Sequence, residues 1–206
     1  MTNAPEFNIL PDHFGKGPEN IYTFQNFIEK DDLKSINDFV ANIKIWDNNS
    51  KSVSYADGSS RYSAELWHDR MCSGEIIKSL SPDIYNLIDS YIIKMQHIAE
   101  EIFNCKLKKR PPVVVCWRPS DMQLPHADKQ LQDGRPNAFP DYDLNSLFYY
   151  NEDFEGGELY YPQHVKKIIP KAGLAVLHPG DINYLHGVTP VLSGRRWVTP
   201  SFYTVQ

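Results

Sequence analysis

The sequence predicts an α+β fold, with helices in its first half and a sandwich or barrel of short strands in its second. Three observations carry this. Two stretches, around 33–43 and 82–104, space their apolar residues by three and four. From Pro111 onward, β-branched and aromatic runs alternate with Gly/Pro turns. No linker-like stretch parts the halves, so residues 1–206 are read as a single domain. Its helical N-terminal flank would cover 1–110, with a lid loop, and its strand-rich core 111–206, the helices buttressing one sheet.

Residues 1–20 are rich in Pro, Asn and Gly and read as an irregular leader. Ile21-Tyr22-Thr23-Phe24 follows as a short strand. Leu33, Ile36, Val40 and Ile43 then mark a helix with Asp31 and Asp32 in its first turn. Residues 47–75 are polar and read as a loop or irregular hairpin. Within them, 53–68, laced with Tyr55 and Tyr62, is either a lid over substrate or a loop on the helical flank. Ser81-Pro82-Asp83 supplies an N-cap, a proline at the first helical position and an early carboxylate. The helix it opens runs to about Asn104, with Leu87, Tyr91, Met95, Ile98 and Ile102 along one face and Ile88, Ile92 and Ala99 beside them. Strands are expected at 113–117, 144–150, 158–161, 173–177, 183–188 and 195–204.

Composition narrows the function classes. A net charge of −5 argues against a nucleic-acid partner. The basic runs Lys106–Arg110 and Lys166-Lys167 are read as solvated loop surface. Three cysteines without metal-type spacing argue against a disulfide framework. No apolar run approaches membrane-spanning length and no signal pattern opens the chain, so a cytoplasmic protein with no membrane partner is expected.

The chemistry concentrates in two segments. Leu124-Pro125-His126-Ala127-Asp128 places an imidazole and a carboxylate two residues apart, on one face of extended backbone. His186 follows sixty positions later on another expected strand. Two histidines and one carboxylate leave open positions on an octahedral ion, which suits non-haem Fe(II). Zinc in a hydrolase is the rival. Arg196, ten positions beyond His186, tips the balance. A 2-oxo acid that chelates iron at one end needs its distal carboxylate paired, and a planar guanidinium does this bidentately.

The segments PHAD, FYYNEDFEGGELYYP, PKAGLAVLHPGD and HGVTPVLSGRRW, in that order, resemble the prolyl 4-hydroxylase-like branch of the 2-oxoglutarate/Fe(II) oxygenases. The resemblance covers about residues 111–206 and implies a double-stranded β-helix (jelly roll) core. It implies His126, Asp128 and His186 as iron ligands and Arg196 as the partner of the 2-oxoglutarate distal carboxylate. Tyr149 matches a strand tyrosine that contacts the same carboxylate. Trp117 stands beside the co-substrate pocket where many relatives have Tyr, and an indole can only donate. The implied reaction consumes O2 and 2-oxoglutarate, releases succinate and CO2, and hydroxylates a substrate C–H, with ascorbate as reductant. The implied substrate is a prolyl residue in a peptide or protein. The same chemistry on a free amino acid or small metabolite is the first alternative, and a non-catalytic jelly-roll binding module the second.

The remaining histidines have plainer readings. His178, before Pro179-Gly180, is read as a turn residue. His13, His68, His97 and His164 lack partner spacing. Arg195 is assigned to the surface, opposite Arg196 on its strand.

Overall fold

The computed structural model describes residues 13–44 and 70–206. Its strands are β1 (Tyr22–Phe24), β2 (Met71–Ser73), β3 (Leu107–Lys109), β4 (Val113–Trp117), β5 (Gln123–His126), β6 (Leu144–Tyr149), β7 (Glu155–Gly156), β8 (Leu159–Tyr161), β9 (Lys166–Ile168), β10 (Ala175–Pro179), β11 (His186–Val188), β12 (Val191–Ser193) and β13 (Arg196–Val205). The helices are α1 (Lys30–Asn42), α2 (Gly74–Leu80) and α3 (Pro82–Phe103). A seven-stranded sheet runs β1-β10-β6-β13-β4-β2, with β3 also paired to β13, and a four-stranded sheet runs β5-β11-β8-β9. All pairings are antiparallel. This is the jelly roll buttressed by helices that the family resemblance implies, and one form of the sandwich or barrel that the strand pattern suggests.

The period-2 alternation of side chains sorts the larger sheet into two faces. Val114, Cys116, Leu144, Phe148, Ala175, Leu177, Trp197 and Tyr203 face the helices and pack with Ile36, Ile88, Ile92 and Met95. Their chain neighbours Val115, Trp117, Leu147, Tyr149, Val176 and Val198 turn the other way. They meet Leu159, Tyr161 and Val188 of the smaller sheet. The molecule thus has two apolar cores, one under the helices and one between the sheets.

α3 starts where the sequence indicates: the Ser81 side chain accepts from Ile84 N at 3.3 Å and Pro82 occupies the first helical position. It ends with Asn104 in the left-handed region, φ +48°. Its buried stripe is Ile88, Tyr91, Ile92, Met95, Ala99 and Phe103. Leu87, Ile98 and Ile102 lie only at the margin. The deepest part of the stripe thus takes in Ile88, Ile92 and Ala99, expected beside that face, and periodicity alone does not say which edge of an apolar stripe lies deepest.

Four expectations need correction. Residues 71–75, placed in the loop, belong to β2 and the start of α2, which runs on to Leu80; three and seven residues are too short to show a period. Lys106–Arg110 is not free loop but contains edge strand β3, paired with β13, and Lys109 and Arg110 form ion pairs with Asp89 and Asp141. Lys166-Lys167 opens β9, where the Lys166 ammonium donates to Ile21 O at 2.8 Å. The strand expected at 183–188 is shorter, because a 3-10 turn over Ile182–Tyr184 precedes β11. The candidate lid at 53–68 lies outside the described residues. Among the described residues, no helix is long and apolar enough to cross a membrane.

Candidate metal and co-substrate site

β5 is an edge strand of the smaller sheet and carries Pro125, a residue tolerated at an edge because it has no N–H to donate. It pairs with β11 so that His126 and His186 stand directly opposite each other. Their ring centroids are 4.4 Å apart. The His126 Nδ1 lies 3.0 Å from Leu124 O and the His186 Nδ1 lies 3.0 Å from Tyr184 O. A carbonyl only accepts, so each Nδ1 carries the proton and each Nε2 keeps its lone pair.

Those lone pairs converge on Asp128. Its Oδ1 is 3.9 Å from His126 Nε2 and 3.8 Å from His186 Nε2, and the three ligand atoms all lie within 4.8 Å of one another. Asp128 follows β5 directly, and its N–H bonds Gly180 O at 2.9 Å. A Cβ at Gly180 would stand 2.1 Å from Tyr142 O and 3.2 Å from Asp128 Cβ. Only glycine lets that turn close on the aspartate. Burial pushes the Asp128 carboxyl pKa up, while His186 and a hydrogen bond from Asn145 pull it down. Two neutral imidazoles and one carboxylate at such separations are a donor set for one divalent ion with open positions.

Across the inner face of the larger sheet lies Arg196, 1% exposed. It is the register partner of Trp117, and its guanidinium sits 5.3 Å from the Trp117 ring and 5.0 Å from the Tyr149 ring. Its Nη2 donates to Tyr149 Oη at 3.3 Å. Its Nε and Nη1 have no hydrogen-bond partner among the described residues. Burial lowers its pKa, and the adjacent Tyr149 phenol offsets part of that. A buried cation with two unmet donor groups and no carboxylate beside it is costly unless an anion joins it. The donor set therefore fits the distal carboxylate of a 2-oxo acid. Gly157, at φ +64°, makes room for it: a Cβ there would stand 2.9 Å from Arg196 Cδ.

All six residues singled out from the sequence thus line one inter-sheet space: His126, Asp128 and His186 at one end, and Arg196, Tyr149 and Trp117 at the other. Arg195 is exposed, as expected from its neighbour's burial. Three further residues went unnoticed or misread. Asn145 donates from Nδ2 to Asp128 Oδ2 at 3.1 Å, turning Oδ1 towards the histidines. His178 is not a turn residue. It lies in β10 opposite Asn145, fully buried, its ring 4.5 Å from His186. Burial and His186 hold its pKa well below the ordinary value, so it is neutral. Tyr161, on β8, is equally buried and faces both histidines. A signal existed for Asn145: alternation from Tyr149 puts it two side chains along the same face.

A model of the 2OG-Fe(II) oxygenase superfamily matches residues 114–204. A PKHD-type hydroxylase of Pseudomonas paraeruginosa is 26% identical over 168 residues, spanning 78% of this chain and 67% of that protein. Among solved structures, a Pseudomonas putida prolyl-4-hydroxylase is similar in fold, with TM-score 0.62 at 14% sequence identity, covering 91% of this chain and 93% of that one. A Trichoplax adhaerens prolyl hydroxylase, solved with a hypoxia inducible factor oxygen degradation domain peptide fragment, gives TM-score 0.58 at 19% identity, covering 91% and 84%. The match over residues 114–204, the hydroxylase relative and the fold shared with prolyl hydroxylases together support a 2-oxoglutarate/Fe(II) oxygenase of the prolyl 4-hydroxylase-like kind, which uses Fe(II), 2-oxoglutarate and O2.

Proposed function

We propose that this dioxygenase hydroxylates a prolyl residue of a peptide or protein, with His126, Asp128 and His186 holding the iron and Arg196 and Tyr149 holding the distal carboxylate of 2-oxoglutarate. The observation that carries the site assignment is the buried, unsatisfied Arg196 guanidinium facing the His/Asp/His set across one inter-sheet space. The prolyl substrate is supported by the PKHD-type relative and by the fold shared with prolyl hydroxylases, one of them solved with a peptide.

Bound iron and 2-oxoglutarate supply oxidative decarboxylation of the 2-oxo acid to succinate and CO2, coupled to insertion of one oxygen atom of O2 into a C–H bond. The chain's own residues set the geometry. Leu124 O and Tyr184 O fix the two imidazole tautomers. Asn145 aims the Asp128 carboxylate. Arg196, held between Trp117 and Tyr149, fixes the far end of the co-substrate. Leu147, Val176, Leu159 and Val188 wall the space with apolar surface, which keeps water from the reacting groups.

The test is succinate release by purified protein with Fe(II), 2-oxoglutarate and ascorbate, offered either proline-rich peptides or a pool of free amino acids and metabolites. Mass spectrometry should find one added oxygen on proline in the peptide arm. Turnover confined to the metabolite arm would replace the peptide reading with the small-molecule one.

A further inference from the structure

The inner face of the smaller sheet is apolar at Leu159, Ile168 and Val188. Tyr161 breaks the pattern. It is 0% exposed, and its hydroxyl has no hydrogen-bond partner among the described residues. Phenylalanine would fill the same space without burying an unmet polar group, so the hydroxyl calls for a partner that the described residues do not supply. The ring packs edge-on to His178 at 5.4 Å and tilted to His186 at 5.9 Å, which sets the phenol on the metal-ligand side of the inter-sheet space.

We infer that the Tyr161 hydroxyl is a further hydrogen-bond donor to the bound 2-oxo acid, alongside Arg196 and Tyr149. The inference rests on the co-substrate reading of this site. A phenol keeps its proton at neutral pH and so can donate. A 2-oxo acid presents only acceptor oxygens, and a neutral phenol matches them. Arg196 and the His178–Asn145 pair divide by the same logic. Arg196 Nε and Nη1 are donors suited to a carboxylate, whereas His178 Nε2 and Asn145 Oδ1 offer only lone pairs. Those two stand on register-paired residues and suit a water molecule. Among the described residues, Tyr161 is therefore the one buried phenol without a hydrogen-bond partner.

Tyr161→Phe tests this with little change in volume. In Mn(II)- or anaerobic Fe(II)-loaded protein, 2-oxoglutarate should bind roughly tenfold more weakly, as for the loss of one hydrogen bond to a charged acceptor. The metal-free variant should melt at the same temperature as the parent or higher, because an unmet hydroxyl has been removed. A structural role, with the hydroxyl satisfied inside the fold, predicts the reverse: a lower melting temperature and unchanged 2-oxoglutarate affinity. That result overturns the inference. Tyr149→Phe, measured beside it, should also weaken binding and shows that the titration resolves one hydrogen bond. If the parent itself does not bind 2-oxoglutarate, the co-substrate reading fails and takes the inference with it. If the parent binds and Tyr161→Phe binds equally well, the inference alone fails.

Discussion

His126 and His186 are register partners on two antiparallel strands, and each imidazole is pinned by the carbonyl two residues before it. The pinning presents both Nε2 atoms to the Asp128 carboxylate. His126→Ala and His186→Ala should each reduce Mn(II) or Fe(II) affinity by roughly a hundredfold or more, since even the outer partners of metal ligands are worth ten- to a hundredfold. Calorimetric titration of the metal checks this. Unchanged affinity in either variant would remove that histidine from the ligand set.

Asn145 should behave as a positioning residue. Asn145→Ala leaves the three ligands in place but frees Asp128 to rotate, and metal affinity should fall by roughly tenfold or more. Asn145→Asp should be worse at neutral pH, because a second carboxylate would face Asp128. Metal titration of both variants, with circular dichroism as the fold check, reads the order.

Arg196 carries two opposite expectations in one substitution. Arg196→Met should abolish measurable 2-oxoglutarate binding. The metal-free variant should be at least as stable as the parent, because a buried cation with unmet donors gives way to an apolar side chain of similar length. Thermal melts with and without 2-oxoglutarate separate the two effects. A melt lowered by many degrees would mean that the guanidinium is a structural element.

Gly157→Ala should act on the same end of the site by crowding. Its φ of +64° and the 2.9 Å approach to Arg196 Cδ together predict a loss of about 1–2 kcal/mol in stability, a few degrees in melting temperature, and weaker 2-oxoglutarate binding. Gly134→Ala is the control. It shares the positive φ, +86°, but a Cβ there meets nothing within 4 Å, so it should cost stability and leave binding unchanged.

Local signals in this chain were readable where they were strong and self-contained. The Ser81 cap, Pro82 and the apolar period of α3 located a helix of 22 residues to within a residue at its end. The short elements were not. β2 owes its conformation to pairing with β4, a partner distant in sequence, and α2 to packing against α3, which follows it directly. The basic runs were misjudged for the same reason: composition suggests solvation, while pairing to β13 and β8 decides otherwise. His178 was misread because the Pro-Gly after it announces a turn, and the strand runs on to Pro179 before turning.

The sequence by itself determined the chemistry at hand. His-x-Asp, a distant histidine and an arginine ten positions on name a donor set and the kind of anion it accepts, because coordination and charge pairing are properties of residue types. Only the tertiary structure decided what surrounds them. Strand pairing across dozens of residues sets His126 against His186 and His178 against Asn145, and packing brings Tyr161 beside His178 and His186. Such neighbours are chosen by sheet register and facing, and a linear pattern carries no record of which strand closes over which.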